Sequence, residues 1–152
     1  MYTLPENIII RALEVSDYDK GFLQVLEQLT TVGDISREEF ENRFNLMVNG
    51  GSRVFVAIDT ISEQVIGTAA GVCDRKFIHG CGSVIHIEEV VVDREYRRKG
   101  IGACLVQRLQ EYARELKCYK VVLNASEQVV GFYEKCGLGS KGYLMNIYFD
   151  YN

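Results

Sequence analysis

Between His86 and Leu116 the chain reads HIEEVVVDREYRRKGIGACLVQRLQEYAREL, and this stretch decides how the rest is read. A run rich in β-branched residues from Ile87 to Val92, broken only by Glu88 and Glu89, ends at Asp93, which is the pattern of a largely buried strand. A polar segment from Arg94 to Lys99 follows, with cations at Arg94, Arg97, Arg98 and Lys99. Gly100 and Gly102 then open a helix whose apolar stripe is Ile101, Leu105, Leu109, Tyr112, Ala113 and Leu116. A strand, a basic glycine turn and a helix together make a device for holding a phosphate. The first amides of a helix have no partner within it, and the helix dipole adds positive potential there. The spacing is not a dinucleotide fingerprint, because Leu105 stands where a third glycine would be needed, and no P-loop Gly-Lys-Ser/Thr follows. An ordinary strand-to-helix connection with a solvated turn is the competing reading of the turn taken alone.

Working outward, Arg53 to Asp59 alternates like a strand, with Val54, Val56 and Ile58 on one face and Phe55 and Ala57 on the other. The polar turn Thr60 to Gln64 leads into a long strand from Val65 to about Arg75, and Lys76 to Gly82 connects it to the strand that starts at Ser83. On the N-terminal side, Ile8 to Ile10 form a first strand. Ser16 with Asp19 reads as a capping pair opening a helix that buries Phe22, Val25, Leu26 and Leu29. Ser36 with Glu39 caps a second helix bearing Phe40, Phe44 and Val48, closed by Gly50-Gly51. On the C-terminal side, Lys120 to Asn124 is a strand, Ser126 caps a short helix containing Phe132 and Tyr133, and Gly137 closes it. Tyr143 to Phe149 alternates as a last strand. The expected fold class is α/β with a mixed sheet, in the order β-α-α-β-β-β-α-β-α-β, as a single domain over residues 1–152.

The turn Arg97-Arg98-Lys99-Gly100-Ile101-Gly102 resembles the Q/R-x-x-G-x-G/A signature of the GNAT superfamily of acyl-CoA N-acyltransferases. The resemblance implies acetyl-CoA as co-substrate, held by Val90, Val91 and Val92 along the strand and by Arg97, Arg98, Lys99, Gly100, Ile101, Gly102 and Ala103 at the turn. It further implies a bulge that frees the amide near Val90 to hydrogen-bond the thioester oxygen as charge develops on it. Gly131-Phe132-Tyr133 with Gly137 resembles the family's F-Y-x-x-x-G-F pattern, with Leu138 in place of the last Phe. That makes Tyr133 the expected acid for the leaving thiolate.

Composition narrows the partners. The chain has 152 residues, 47% of them hydrophobic and 25% charged, with a net charge of −4. This is enough chain for a core without staples, and too acidic overall for a general nucleic-acid binder. The basic turn is therefore a local anion site. Five scattered cysteines and two histidines show no metal spacing, so reduced thiols and no metal are expected. No stretch has the length or apolarity of a membrane helix or the layout of a signal peptide. A cytoplasmic protein is the expectation, with an organelle remaining open.

An activated thioester needs no covalent nucleophile from the protein. It needs a neutral amine brought to the carbonyl in a ternary complex, and an acid for the thiolate. Glu88 and Glu89 are neighbours on a strand, so alternation sends them to opposite faces, and one of them faces substrate. Proton removal from the amine runs through a carboxylate, a backbone carbonyl or water. Leu29 to Gly33, Arg75 to His79, His86 to Val90 and Cys118 to Lys120 resemble, more narrowly, the glucosamine 6-phosphate N-acetyltransferases. That closer resemblance implies glucosamine 6-phosphate as the amine, and a homodimer whose sites are completed by the partner subunit. The implied substrate contacts are Thr30, Lys76, Phe77, Ile78, His79, Glu88, Glu89, Val90, Asn124 and Tyr148. Catalytic roles fall to Tyr133, Glu88, Glu89 and Asn124. Three positions depart from that pattern: Asn124 replaces an Asp, Val129 an Asn, and Tyr148 an Arg that grips the phosphate. The alternative is a GNAT enzyme for another small amine or a protein N-terminus.

Overall fold

A computed structural model describes residues 2–150. Strand β2 (Arg53–Asp59) sits where its alternation puts it. Phe55 and Ala57 enter one apolar cluster with Ile85, Ile87, Leu105 and Leu109, while Val56 and Ile58 enter a second with Phe22, Val25 and Phe40. The sheet therefore has two buried faces. Its order is β1-β2-β3-β4-β5, with β1 (Ile8–Ala12), β3 (Gln64–Arg75) and β4 (Ser83–Val92) forming an antiparallel set around β2. The last strand, β5 (Lys120–Leu123), lies parallel to β4, and a parallel pair requires a crossover. Helix α4 (Ile101–Glu115) supplies it and covers the first face; α1 (Phe22–Glu27) and α2 (Arg37–Asn49) cover the second.

Helix α4 lies close to the sheet because β3 presents small residues to it. A Cβ added at Gly71 would stand 2.7 Å from Leu109 Cδ2 and 3.2 Å from Ile85 Cγ2. The stripe Ile101, Leu105, Leu109, Tyr112 and Ala113 is buried as expected, but Leu116 is exposed because the helix has ended at Glu115. Among the described residues, no helix is long and apolar enough to cross a membrane.

Three expectations are corrected. The segment after β1 is not one helix capped by Ser16 and Asp19. It is a 3-10 turn, Val15–Lys20, closed by a reciprocal pair between Glu14 and Asp17, and α1 starts only after Gly21 in the left-handed region (φ +82°). Asp19 is drawn off to pair with Arg37 of α2. Ser126 does not cap α5 (Val130–Lys135) with its side chain; its backbone carbonyl accepts from the amides of Val129 and Val130. Finally, Tyr143 to Phe149 forms no strand among the described residues. Tyr143 is 98% and Met145 91% exposed, and the alternating apolar tail pairs with no strand among the described residues.

The Ser36–Glu39 capping box forms as expected, with Ser36 Oγ accepting from the Glu39 amide. Asp17 is fully buried and receives both arms of the Arg11 guanidinium at 2.8 Å. Burial, the largest single influence, would raise the Asp17 carboxyl; the Arg11 hydrogen bonds and charge, the Glu14 amide and the Lys20 charge together hold it below its ordinary value. Its contribution is thus present above the ordinary carboxylate range and is lost as pH falls through the lower folded value. Arg11→Met strands this carboxylate and is expected to destabilise the fold by about 3 kcal/mol at neutral pH. In denaturant melts the gap from wild type should narrow below about pH 4. A gap that stays constant or widens on acidification contradicts this role for the pair.

Candidate functional site

The site grows from a break in strand β4. Its pairing with β3 runs Thr68↔Val91 and then Ala70↔Glu88, so Glu89 and Val90 together stand against Ala69. This is the bulge implied by the family resemblance. Glu89 takes the left-handed conformation (φ +52°), which re-aims the strand. Side-chain alternation changes phase there. Ile85 and Ile87 belong to the α4-side cluster, and so do Val90 and Val92, whereas Val91 belongs to the α1–α2 side. The expectation that Glu88 and Glu89 leave opposite faces rested on regular alternation, and the bulge removes that basis. Both glutamates are exposed.

Strand β5 pairs with β4 only from Val84↔Lys120 to Ile87↔Leu123. From Glu88 to Val92 strand β4 continues beside β3 alone. The two parallel strands therefore part at the bulge and leave β4 backbone groups available on that side. A neighbouring strand end carries Asn124, exposed just beyond β5.

At the end of β4 the turn is held from three directions. Tyr96 Oη donates to Asp59 Oδ2 at 2.6 Å, Arg97 Nε donates to the Val92 carbonyl at 2.9 Å, and Asp93 Oδ1 accepts from the Glu95 amide at 2.9 Å. Arg98 (φ +62°) and Gly100 (φ +77°) are both left-handed. Gly100 is the N-cap of α4, and its carbonyl accepts from the Cys104 amide. Among the described residues, no acceptor takes the N–H groups of Arg98, Lys99, Gly100, Ile101, Gly102 or Ala103. These amides, the dipole of a long helix and the cations Arg98 and Lys99 make an anion cradle.

Tyr133 lies on α5 with Phe132, whose ring meets it edge-on at 4.9 Å. Tyr133 packs on the α4-side cluster, as do Val90 and Val92, so the phenol and the bulge border one core. A Cβ at Gly102 would lie 3.4 Å from Phe132 Cζ, which places α5 directly against the start of α4. Burial, and next the Cys136 thiol, push the Tyr133 phenol above its ordinary value, so it keeps its proton at neutral pH.

The loop after β3 gathers a second group. Lys76 Nζ meets Asp74 Oδ2 at 2.8 Å, and His86 Nε2 meets the same oxygen at 3.1 Å. The Lys76 ammonium and then His86 hold the Asp74 carboxyl below its usual range. His79, Gly80 and Cys81 are all left-handed within the short turn α3 (Ile78–Cys81). His79 is held by stacking on Tyr119, with ring centroids 4.1 Å apart, and Lys120 Nζ lies 5.8 Å from the same ring. Tyr119 and Lys120 belong to a segment that carries the closer resemblance, but the sequence assigns them no site role; the loop beside them supplies it. Phe77 and Ile78 are exposed and touch no core, and Thr30 is exposed just after α1 with its amide bonded to the Leu26 carbonyl. Tyr148 lies in the exposed tail. An open concavity of about 510 Å³ beside the start of α2, lined by Leu23, Glu27, Asp34 and Glu39 among others, contains none of the expected site residues.

The acetyltransferase (GNAT) family model matches residues 20–138. The chain belongs to this family. Among GNAT relatives, glucosamine 6-phosphate N-acetyltransferase of Arabidopsis thaliana is 38% identical over 149 residues, covering 97% of this chain and 100% of the relative. Glucosamine 6-phosphate N-acetyltransferase 1 of Oryza sativa subsp. japonica is 41% identical over 142 residues, covering 92% of this chain and 86% of that protein. The crystal structure of glucosamine-6-phosphate N-acetyltransferase from Arabidopsis thaliana superposes with a TM-score of 0.92 at 39% identity, covering 95% of this chain and 100% of that one.

The two glycines of the GNAT turn differ in what they require. Gly100 is left-handed and Gly102 is not. Gly100→Val should cost about 2 kcal/mol in chemical denaturation, since a β-branched residue is forced into that region. Gly102→Ala, with only ordinary contacts for its new methyl, should shift stability by no more than about 0.5 kcal/mol. Equal costs at the two positions would contradict the turn geometry.

Proposed function

We propose that the protein transfers the acetyl group of acetyl-CoA to the 2-amino group of glucosamine 6-phosphate, giving N-acetylglucosamine 6-phosphate and CoA. The observation that carries this reading is the set of unpartnered amides from Arg98 to Ala103 at the point where β4 parts from β5. The acetyl-CoA diphosphate is held there by Arg98 to Ala103, with Arg97 fixing the turn through Val92. The pantetheine arm runs along Val90 to Val92, whose side toward β5 is open.

The amine attacks the thioester carbonyl directly in a ternary complex. As the C–N bond forms, the carbonyl oxygen gains negative charge and accepts a hydrogen bond from the Val90 amide freed by the bulge. Collapse breaks the C–S bond; the sulfur takes its proton from Tyr133 and leaves as the CoA thiol. The proton lost by the nitrogen passes to a carboxylate, a backbone carbonyl or water, with Glu88, Glu89 and Asn124 at the substrate end. A phenol kept protonated by burial suits an acid for a thiolate.

The sugar phosphate is a dianion. Lys76, His79 and Thr30 are its expected partners, and the Tyr119–Lys120 pair adds a cation beside His79. Lys76 is shared with Asp74, so the loop is pre-ordered but its charge is partly neutralised. The protein acts as a homodimer in this reading. Support comes from the apolar tail Tyr143–Phe149, unpaired among the described residues, and from β5 as a short edge strand. Tyr148 in that tail would reach the partner's site, where a tyrosine hydroxyl replaces a guanidinium.

CoA thiol release measured over a panel of amines tests the assignment. Glucosamine 6-phosphate should accelerate release far above glucosamine, polyamines and a peptide N-terminus; release with those alone rejects it. Tyr133→Phe should lower kcat about a hundredfold with little change in KM for acetyl-CoA. An unchanged kcat would remove the phenol from the acid role.

A further inference from the structure

Gln28 joins two segments 65 positions apart in sequence. Its side-chain Nε2 donates to Asp93 Oδ2 at 3.0 Å, and its Oε1 accepts from the Arg94 amide at 3.0 Å. Both ends of one carboxamide are therefore spent on the segment between β4 and the anion cradle. Asp93 is equally committed. Its other oxygen accepts from the Glu95 amide, and its own amide donates to the Ile66 carbonyl. Gln28 itself closes helix α1, two residues before Thr30, and the Leu29 and Thr30 amides are tied back to the Leu26 carbonyl. A rigid path of hydrogen bonds thus runs from the Thr30 segment through Gln28 to the turn that precedes Arg98.

The chemistry of the contact is specific. The link needs a donor facing a carboxylate and an acceptor facing an amide, from one side chain of this length. Glutamate offers two acceptors and sets a second carboxylate against Asp93; methionine and leucine offer neither group. Gln28 is partly exposed: its bond to Asp93 is half-buried, and its bond from the Arg94 amide is exposed.

From this we infer that Gln28 is a positioning residue: it locks the segment carrying Thr30 to the diphosphate turn, so that sugar phosphate and acetyl-CoA are held in one register. The inference rests on the acetyl transfer proposed above. Two reactants assembled from different segments react only when those segments keep a fixed offset, and a small misplacement of either lowers the rate. Gln28 touches neither reactant. Its effect passes through Thr30 on one side and through Asp93 and Arg94 on the other.

The experiment compares wild type with Gln28→Leu, Gln28→Glu and the pair Gln28→Glu/Asp93→Asn. Losing both bonds should lower kcat/KM for glucosamine 6-phosphate about tenfold in Gln28→Leu. The dissociation constant for CoA should change less than about threefold, because the cradle amides remain. Gln28→Glu should lose at least as much, since two carboxylates then face each other. The paired variant should recover to within about threefold of wild type, because the new carboxamide at position 93 donates to the new carboxylate at position 28. A residue that merely supports the fold would lower the melting temperature without this reversal of kinetics. Unchanged kcat/KM in Gln28→Leu overturns the inference, and so does a Gln28→Glu defect that the paired change leaves in place. A second readout separates this inference from the function it rests on. In ¹⁵N-labelled wild-type protein, CoA should shift the Thr30 amide resonance, and in Gln28→Leu it should not. If wild type fails to acetylate the sugar phosphate, the function falls. The link between the two segments is then still decided by whether Thr30 responds to CoA through Gln28.

Discussion

A helix cannot satisfy its own first amides, and in this protein that constraint is placed beside a gap in a sheet. Helix α4 begins on left-handed Gly100, and the N–H groups from Arg98 to Ala103 find no acceptor among the described residues. Without a ligand such amides are left to water, and the same donors with the helix dipole favour an anion placed against them. Much of the surrounding construction keeps those amides aimed one way. Small residues on β3 let α4 lie close to the sheet, Tyr96 is tied to Asp59 at the end of β2, and Arg97 folds back on Val92.

The second constraint is the extra residue in β4. Two residues, Glu89 and Val90, oppose Ala69, and the phase of the strand changes between Ile87 and Val90. The same irregularity ends pairing with β5, which stops at Ile87↔Leu123. One inserted residue thus opens a space between parallel strands and supplies an unengaged backbone edge within it. Tyr133 lies on α5 and packs on the same core as Val90 and Val92, and α5 rests on the start of α4 through Phe132 and Gly102. Cradle, opening and phenol are consequences of how two strands and two helices meet in this chain.

The sequence was legible where one local rule acts alone. The alternation of Val54 to Ile58, the Ser36–Glu39 capping box and the stripe from Ile101 to Ala113 each declare an element without help from the rest of the chain. It misled where two local signals compete. Ser16 and Asp19 look like a cap, but Arg11 draws in Asp17 and Arg37 draws off Asp19, so the capping pair forms two residues earlier, at Glu14 and Asp17. Alternation at Tyr143 to Phe149 declares a strand, yet a strand exists only with a partner, and the segment pairs with none among the described residues. The bulge at Glu89 and Val90 was expected from the family resemblance alone, and it removes the regular alternation on which the opposite-faces expectation for Glu88 and Glu89 rested. Links across long separations, such as Gln28 to Asp93 and His79 to Tyr119, were invisible because nothing local announces them.

Because the account turns on backbone amides, their own resonances are its most direct witness. Titrating ¹⁵N-labelled protein with CoA should move the amide signals of Arg98 to Ala103 furthest, with Val90 next among residues of the sheet. If those signals hold still while residues around Leu23, Glu27 and Asp34 respond, the anion cradle is not the cofactor site and the account fails.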